Sequence, residues 1–224
     1  MIELTPDEAR VLGVLIEKAT TTPDQYPLSL NAVVNGANQK NNRDPVMQMQ
    51  ENDAFTALEG LREKRLVIRS DMVGSRVNRY KHLAGEALHA RPAEVAILAE
   101  LMLRGPQTLG ELRGRASRMH PFSTLDDVKN MLTALATREQ PMVKELPPSP
   151  GSRAERYMQL LAPDAHPIVE SAQASESASS ASGPAPVSIT TRVAALESEV
   201  ASLRNVIRRL AQSLGEPDPF EGHV

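Results

Sequence analysis

A stretch of eight residues concentrates side chains that can bind phosphates and base edges. It reads Asn38-Gln39-Lys40-Asn41-Asn42-Arg43-Asp44-Pro45. Amide groups can pair with base edges or phosphates, and Lys and Arg pair with phosphates. Asn, Asp and Pro also build turns, so turn chemistry alone explains much of this composition. The stretch is a candidate recognition loop, and its candidate nucleic-acid contacts are Asn38, Gln39, Lys40, Asn42 and Arg43.

Two further groups of cations could contact phosphates. Two predicted β-hairpins carry one group, which comprises Arg76, Arg79, Lys81, Arg153 and Arg156. A short predicted helix carries the other, which comprises Arg113, Arg115 and Arg118. The alternatives are structural. The hairpin arginines could pair with acids on the third helix of the same repeat copy while Tyr80 and Tyr157 pack on the core, and a run of Arg is commonly a solvated helix face.

The residue inventory argues against most enzyme and metal chemistry. The chain has no Cys, which excludes disulfides, thiolate zinc sites, iron–sulfur clusters and cysteine nucleophiles. Its five His are scattered at positions 82, 89, 120, 166 and 223. It contains no phosphate-binding Gly loop, HExxH motif or nucleophile elbow. We therefore expect a protein that is not an enzyme and that needs no metal or cofactor.

Composition limits the partners and the compartment. The 224 residues carry a formal net charge of −3, and 41% of them are hydrophobic. Residues 1–84 have 11 basic and 11 acidic groups, and residues 85–165 have 10 of each. Any nucleic-acid contact must therefore come from local patches. No apolar run reaches the roughly 18 to 20 residues of a membrane span, and the start of the chain is acidic, so we expect a cytoplasmic protein without membrane contact.

An internal repeat organises the chain. The segment Gly74-Ser75-Arg76-Val77-Asn78-Arg79-Tyr80 recurs as Gly151-Ser152-Arg153-Ala154-Glu155-Arg156-Tyr157, with five of seven positions identical at an offset of 77. Each copy follows an amphipathic helix, a short second helix and a third helix. We call residues 1–84 the first repeat unit and residues 85–165 the second.

Local signals place these elements. Thr5-Pro6-Asp7-Glu8 has the form of a capping box, Arg91-Pro92 opens the matching helix, and Ser29 and Thr108 can cap the second helices. The third helices carry apolar residues, which are Phe55, Leu58 and Leu61 with Leu66 beyond them, and Leu125, Val128, Met131, Leu132 and Leu135. The runs 66–70 with 76–83 and 142–146 with 155–160 predict two hairpins.

This order predicts a mainly α protein with small β-hairpins, of the α+β class. Three helices followed by a hairpin is the order of a winged helix-turn-helix domain, and the chain has it twice, as residues 1–84 and 85–165. The exposed faces predicted for the third helices carry Asn52, Thr56, Glu59 and Glu63 in one unit, and Asp126 or Asp127, Asn130, Thr133 and Thr137 in the other. Carboxylates on these faces disfavour DNA phosphates and favour a protein partner.

The remaining residues predict a linker and a coiled coil. Residues 166–188 are rich in Ser, Ala and Pro and predict a flexible linker. Residues 189–215 predict a helix with a heptad pattern, followed by a disordered tail at 216–224. The heptad positions are Val193, Leu196, Val200, Leu203, Ile207, Leu210 and Leu214. They favour a parallel homodimer, and the alternative is a single helix that folds back on its own domain.

The quoted residues resemble a known family. Residues 22–29, 38–46, 111–113 and 156–158, with Arg118-Met119 and Arg192 to Glu197 of the tail, are similar to the YceH family of bacterial proteins. The likeness covers nearly the whole chain. It implies two winged-helix domains in tandem and brings no established biochemical activity.

Two hypotheses about function follow. The first is a DNA-associated or regulatory protein that binds duplex DNA phosphates through the hairpins and the loop 38–43, with its two units doubled by the coiled coil. The alternative is an adaptor that binds a protein partner through winged-helix domains without DNA binding.

Overall fold

Capping signals in the sequence start both long helices. The computed structural model describes residues 2–70, 77–149, 151–167 and residue 208. Helix α1 (Pro6–Thr21) begins at Thr5, whose hydroxyl accepts from the Glu8 amide while the Glu8 carboxylate accepts from the Thr5 amide. Helix α5 (Pro92–Arg104) begins after Arg91 and ends at Gly105, which has a φ of 72°. The predicted capping box at Thr5 and the predicted helix start at Arg91-Pro92 are confirmed.

Each repeat unit contains the same order of elements. After α1, the first unit has β1 (Leu28–Ser29), α2 (Leu30–Ala37), α3 (Glu51–Glu63), β2 (Val67–Ser70) and β3 (Arg79–His82), and a short α4 (Ala84–Ala87) connects it to the second unit. After α5, the second has β4 (Gln107–Thr108), α6 (Leu109–Ala116), α7 (Leu125–Ala136), β5 (Val143–Leu146) and β6 (Arg156–Gln159). The predicted α+β class is confirmed.

Both units form a small antiparallel sheet around the predicted hairpin. The strand orders are β1-β3-β2 and β4-β6-β5. Leu28 pairs with Tyr80 and Gln107 with Tyr157, so the two sheets have the same register relative to the repeated Tyr. The sequence analysis did not predict β1 and β4, because a strand of two residues has no measurable alternation.

The core extends through both repeat units. Every residue of α1 from Glu8 to Glu17 is buried, and so is every residue of α5 from Glu94 to Leu103. Gly13 allows α1 to approach α5 closely, since a Cβ atom there would lie 2.9 Å from Leu103 Cγ. Near the start of the chain, Leu4 donates a backbone hydrogen bond to Leu161. Residues Met1–Val169 form one compact unit.

Two of the apolar residues that the sequence places on the third helices are exposed. Phe55 on α3 is 45% exposed, and Leu125 at the start of α7 is 47% exposed. The other assigned residues Leu58, Leu61 and Leu135 are fully buried. Phe55 and Leu125 lie outside the buried surface because α3 and α7 bury a narrow stripe, and Ala54 and Ala57 complete that stripe on α3.

No helix among the described residues is long and apolar enough to cross a membrane.

A half-buried histidine makes the stability of this fold dependent on pH. His82 ends β3, its Nδ1 accepts from the Ala84 amide, and burial together with the Lys81 charge lowers its pKa to about 4. Protonation favours the unfolded state, where the pKa is near 6.5, so stability is full above that value and falls as the pH drops toward 4. We expect a loss of at most about 3 kcal/mol over this window.

Urea denaturation of the wild type and of His82→Asn at pH 7.5 and 4.5 measures this effect. Asn can accept the same hydrogen bond and does not titrate. A pH dependence that His82→Asn leaves unchanged would contradict the assignment.

Candidate functional site

Four of the five predicted contacts of the candidate recognition loop have hydrogen-bond partners within the protein. Asn38 uses both ends of its amide on Met49, donating to the carbonyl at 2.8 Å and accepting from the backbone amide at 2.7 Å. Gln39 accepts from Arg43 at 3.0 Å, and Asn42 accepts from Arg104. Of the five predicted contacts, only Lys40 is an exposed side chain with no partner in the described part of the chain. The loop therefore has a structural role beside any binding role.

Arg43 lies at the centre of a buried ionic network. Its guanidinium binds the carboxylate of Glu17 at 2.5 Å, and the two side chains are 0% and 2% exposed. Arg118 bridges Glu17 at 2.5 Å and Glu100 at 2.9 Å. Arg104 lies 3.0 Å from Glu100. We call these five residues the junction network, because they link the loop and α1 of the first unit to α5 and the segment after α6 of the second.

Local electrostatics fix the charge states of this region. Burial alone would raise the pKa of Glu17, but the hydrogen bond and charge of Arg43, with the charges of Arg118 and Lys18, lower it. Glu17 is therefore a carboxylate at neutral pH. Burial lowers the pKa of nearby Arg10 to about 10, and its guanidinium donates to the carbonyls of Ala37 and Pro45. Arg10 thus holds both ends of the recognition loop.

The cations of α6 also have partners within the protein. Arg115 binds Glu111 at 3.1 Å and Gln107 at 2.9 Å. Arg113 is exposed, and its guanidinium donates to the Ser123 carbonyl at 2.8 Å. Arg113, Arg115 and Arg118 therefore do not form one continuous cationic face.

The hairpin cations separate into two classes. Arg79 donates to the Pro27 carbonyl at 2.8 Å, and Arg156 approaches the Pro147 carbonyl at 3.4 Å. Their partners are backbone carbonyls rather than the acids of the third helices that the structural alternative proposed. Lys81 and Arg153 are exposed, and within the described ranges neither has a partner.

The repeated tyrosines belong to the core. Tyr80 is 2% exposed and Tyr157 is 7% exposed. Tyr157 also donates a hydrogen bond to Glu145 on the adjacent strand at 3.1 Å. The packing part of the structural alternative is therefore confirmed.

The third helices present acidic outer faces. Helix α3 carries Glu51, Asp53, Glu59 and Glu63 against one cation, Arg62, which Glu59 binds at 2.6 Å. Helix α7 carries Asp126 and Asp127 against Lys129. The predicted exposure of Asn52, Thr56 and Glu63 on α3 and of Asn130, Thr133 and Thr137 at α7 is confirmed, whereas Glu59 is half-buried. Phe55 and Leu125 add an apolar side chain to each face.

Comparison with known proteins places the chain in a family. A family model described as protein of unknown function, DUF480, matches residues 4–152. The chain belongs to this family. A UPF0502 protein of Geobacter sulfurreducens is 48% identical over 202 residues, which are 90% of each chain. A UPF0502 protein of Pelobacter propionicus is 47% identical over 223 residues, which are 98% of this chain and 97% of the relative. The predicted resemblance is thus confirmed.

The DUF480 match includes the whole junction network, whose residues lie between positions 17 and 118. Sequence reasoning missed Glu17, Glu100, Arg104 and Arg10 as members of this region. Each is a charged residue within an otherwise apolar helical run, which is a signal that a buried ion pair is needed. Among the described residues there is no cluster of three or more His, Asp or Glu side chains that could hold a metal ion.

Several predicted site residues lie outside the part of the chain that the structure describes. They are Arg76 and the heptad positions Val193, Leu196, Val200, Leu203, Ile207, Leu210 and Leu214. The coiled coil and the homodimer therefore stay predictions. His166, the first residue of the predicted linker, is described: it is 9% exposed, and its Nε2 lies 2.6 Å from the Asp44 carbonyl oxygen.

Proposed function

We propose that this DUF480 protein binds macromolecules without catalysing a reaction, through two winged-helix units whose third helices contact a protein partner. The order of elements supports the winged-helix assignment: each unit has helix, strand, helix, helix, strand, strand, with the first strand added to the hairpin. In winged helix-turn-helix proteins that bind DNA, the third helix enters the major groove.

The acidity of the third-helix faces carries the choice of partner. Four carboxylates against one paired guanidinium on α3 would face DNA phosphates of the same sign. The predicted DNA contacts Arg43 and Asn38 are occupied inside the protein. A protein partner with basic and apolar groups could instead bind the carboxylates and pack against Phe55. Exposed aromatic side chains such as Phe55 are enriched in protein interfaces.

The DNA hypothesis has one specific observation in its favour. Lys81 on β3 and Arg153 before β6 are exposed cations, one in each hairpin. Hairpins of winged helices can contact phosphates or the minor groove. DNA binding through these residues would not need the acidic helices.

Photo-crosslinking in cells tests the proposal. A photoreactive amino acid replaces Thr56 on α3 or Thr133 on α7, and Thr20 at the end of α1 serves as an exposed control position. We expect the same protein adduct from positions 56 and 133, no such adduct from position 20, and loss of the adduct from position 56 in a Phe55→Asp background. Phe55→Asp should lower the melting temperature only slightly, because Phe55 is 45% exposed.

Fluorescence anisotropy with duplex DNA is the second arm of this test. We expect no salt-sensitive binding at tens of micromolar protein. Salt-sensitive binding that Lys81→Gln and Arg153→Gln abolish, together with no specific adduct from positions 56 and 133, would replace the protein-partner proposal with the DNA hypothesis.

A further inference from the structure

A depression of about 540 Å³ opens above the junction network. Its wall includes Lys18, Thr21 and Thr22 at the end of α1, Lys40 and Asn41 of the recognition loop, and Arg118 of the second unit. We call it the junction depression. Its volume lies within the range of about 300 to 1,000 Å³ that is usual for small-molecule sites.

The junction network, of which Glu17 and Arg118 line the depression, carries more positive than negative charge. Two carboxylates, Glu17 and Glu100, face the three guanidinium groups of Arg43, Arg104 and Arg118. Burial and the charges of other arginines lower the pKa of Arg104 although Glu100 opposes this effect, as expected for a group of cations with too few counter-charges. The excess positive charge favours an anion at this place.

The rim adds further cations with little neutralisation. The Lys18 ammonium lies 3.8 Å from Glu17, at the limit of an ion pair, and Glu17 already binds two arginines. Lys40 is exposed, and no described side chain pairs with it. Two ammonium groups with free donors therefore flank the opening, and a phosphate group, with three acceptor oxygens, fits such a pair of donors.

The uncharged wall residues indicate what else the ligand carries. The Thr21 hydroxyl donates to the Glu17 carbonyl and the Thr22 hydroxyl to the Lys18 carbonyl, so each hydroxyl oxygen is left as an acceptor. Asn42 accepts from Arg104 through Oδ1, which leaves its amide nitrogen as a donor. Hydroxyl groups on the ligand would pair with both kinds of wall group.

We propose that the junction depression binds a small phosphate monoester that carries hydroxyl groups, of the sugar phosphate or nucleoside monophosphate class. The phosphate lies between Lys18, Lys40 and Arg118, and the hydroxyls lie against Thr21, Thr22 and the Asn side chains. Such a ligand would contact both repeat units at once. This site is separate from the third-helix faces, so it does not depend on the proposed function.

Calorimetric titration of the full-length protein tests the site. The probes are ribose 5-phosphate, adenosine 5′-monophosphate, adenosine, ribose and inorganic phosphate. We expect both phosphate esters to bind, inorganic phosphate to bind more weakly, and ribose and adenosine not to bind. Lys18→Gln with Lys40→Gln should weaken binding of the esters by about tenfold or more, because each removes a charged donor. Lys81→Gln, which removes an exposed lysine outside the depression, should leave the affinity unchanged.

Several outcomes would overturn the proposal. These are no binding of either ester at millimolar concentration, equal binding of the esters and inorganic phosphate, or an affinity that the two lysine substitutions do not change. Duplex DNA binding that depends on Lys18 and Lys40 without ester binding would assign the anion to a nucleic acid instead. Both lysines are outside the core, so an unchanged melting temperature of the variant confirms that its fold is intact.

Discussion

Glu17→Gln is expected to lower the free energy of unfolding by about 3–5 kcal/mol. The substitution keeps the shape of the side chain and removes its charge. Arg43 has no exposed side-chain surface, and the neighbours that remain to it are the neutral oxygens of Gly36, Gln39 and Asn42. A buried cation without a counter-charge is among the most costly defects that a single substitution makes.

Chemical denaturation at neutral pH measures this loss. Glu63→Gln is the matched control, since Glu63 is exposed on α3 and its substitution should change stability by less than about 0.5 kcal/mol. A loss below about 1 kcal/mol for Glu17→Gln would mean that Arg43 and Arg118 do not need the carboxylate and that the junction network does not hold the two units together.

A double substitution separates the ion pair from other effects of the change. In Glu17→Gln with Arg43→Gln, both charges of the closest pair are absent, so neither is left uncompensated by the other. We expect the double variant to be more stable than the sum of the two single losses predicts, with a coupling of about 1–3 kcal/mol. Additive losses would show that the two residues stabilise the protein independently.

The sequence predicts the elements of this fold better than it predicts how those elements pack. Caps act within four residues, so the starts of α1 and α5 and the caps at Ser29 and Thr108 follow directly from residue types. The internal repeat correctly predicts that the two hairpins are equivalent. The packing of α1 on α5 was not predicted, because only one apolar stripe was considered on each helix, while Val11 and Val14 show that α1 buries a second face.

The partners of the candidate site residues were also not predictable from local sequence. The residue types correctly identify the loop 38–45 as a cluster of polar side chains. The sequence does not show, however, whether an arginine in it binds a phosphate of a ligand or a carboxylate of the protein. Glu17 is 26 residues from Arg43, and Glu100 is 18 residues from Arg118. No local pattern joins residues at such distances. The fold is needed to show that these four side chains meet.

Leu103→Ala is the second substitution with a large expected effect. Leu103 is fully buried on α5, and its side chain packs where Gly13 brings α1 close. Its backbone carbonyl also accepts from the Asp44 amide of the recognition loop. Truncation would leave a cavity between the two units, and such cavities cost about 2–5 kcal/mol.

The regional distribution of this loss is as informative as its size. Because α1 and α5 belong to one continuous core, we expect hydrogen exchange of Leu103→Ala to show lower protection in α3 of the first unit and in α7 of the second, by similar factors.

Leu125→Ala is the control: it also shortens a leucine, but at a site that is 47% exposed, and it should change stability by less than about 0.5 kcal/mol. Loss of protection confined to the second unit would mean that the two units unfold separately.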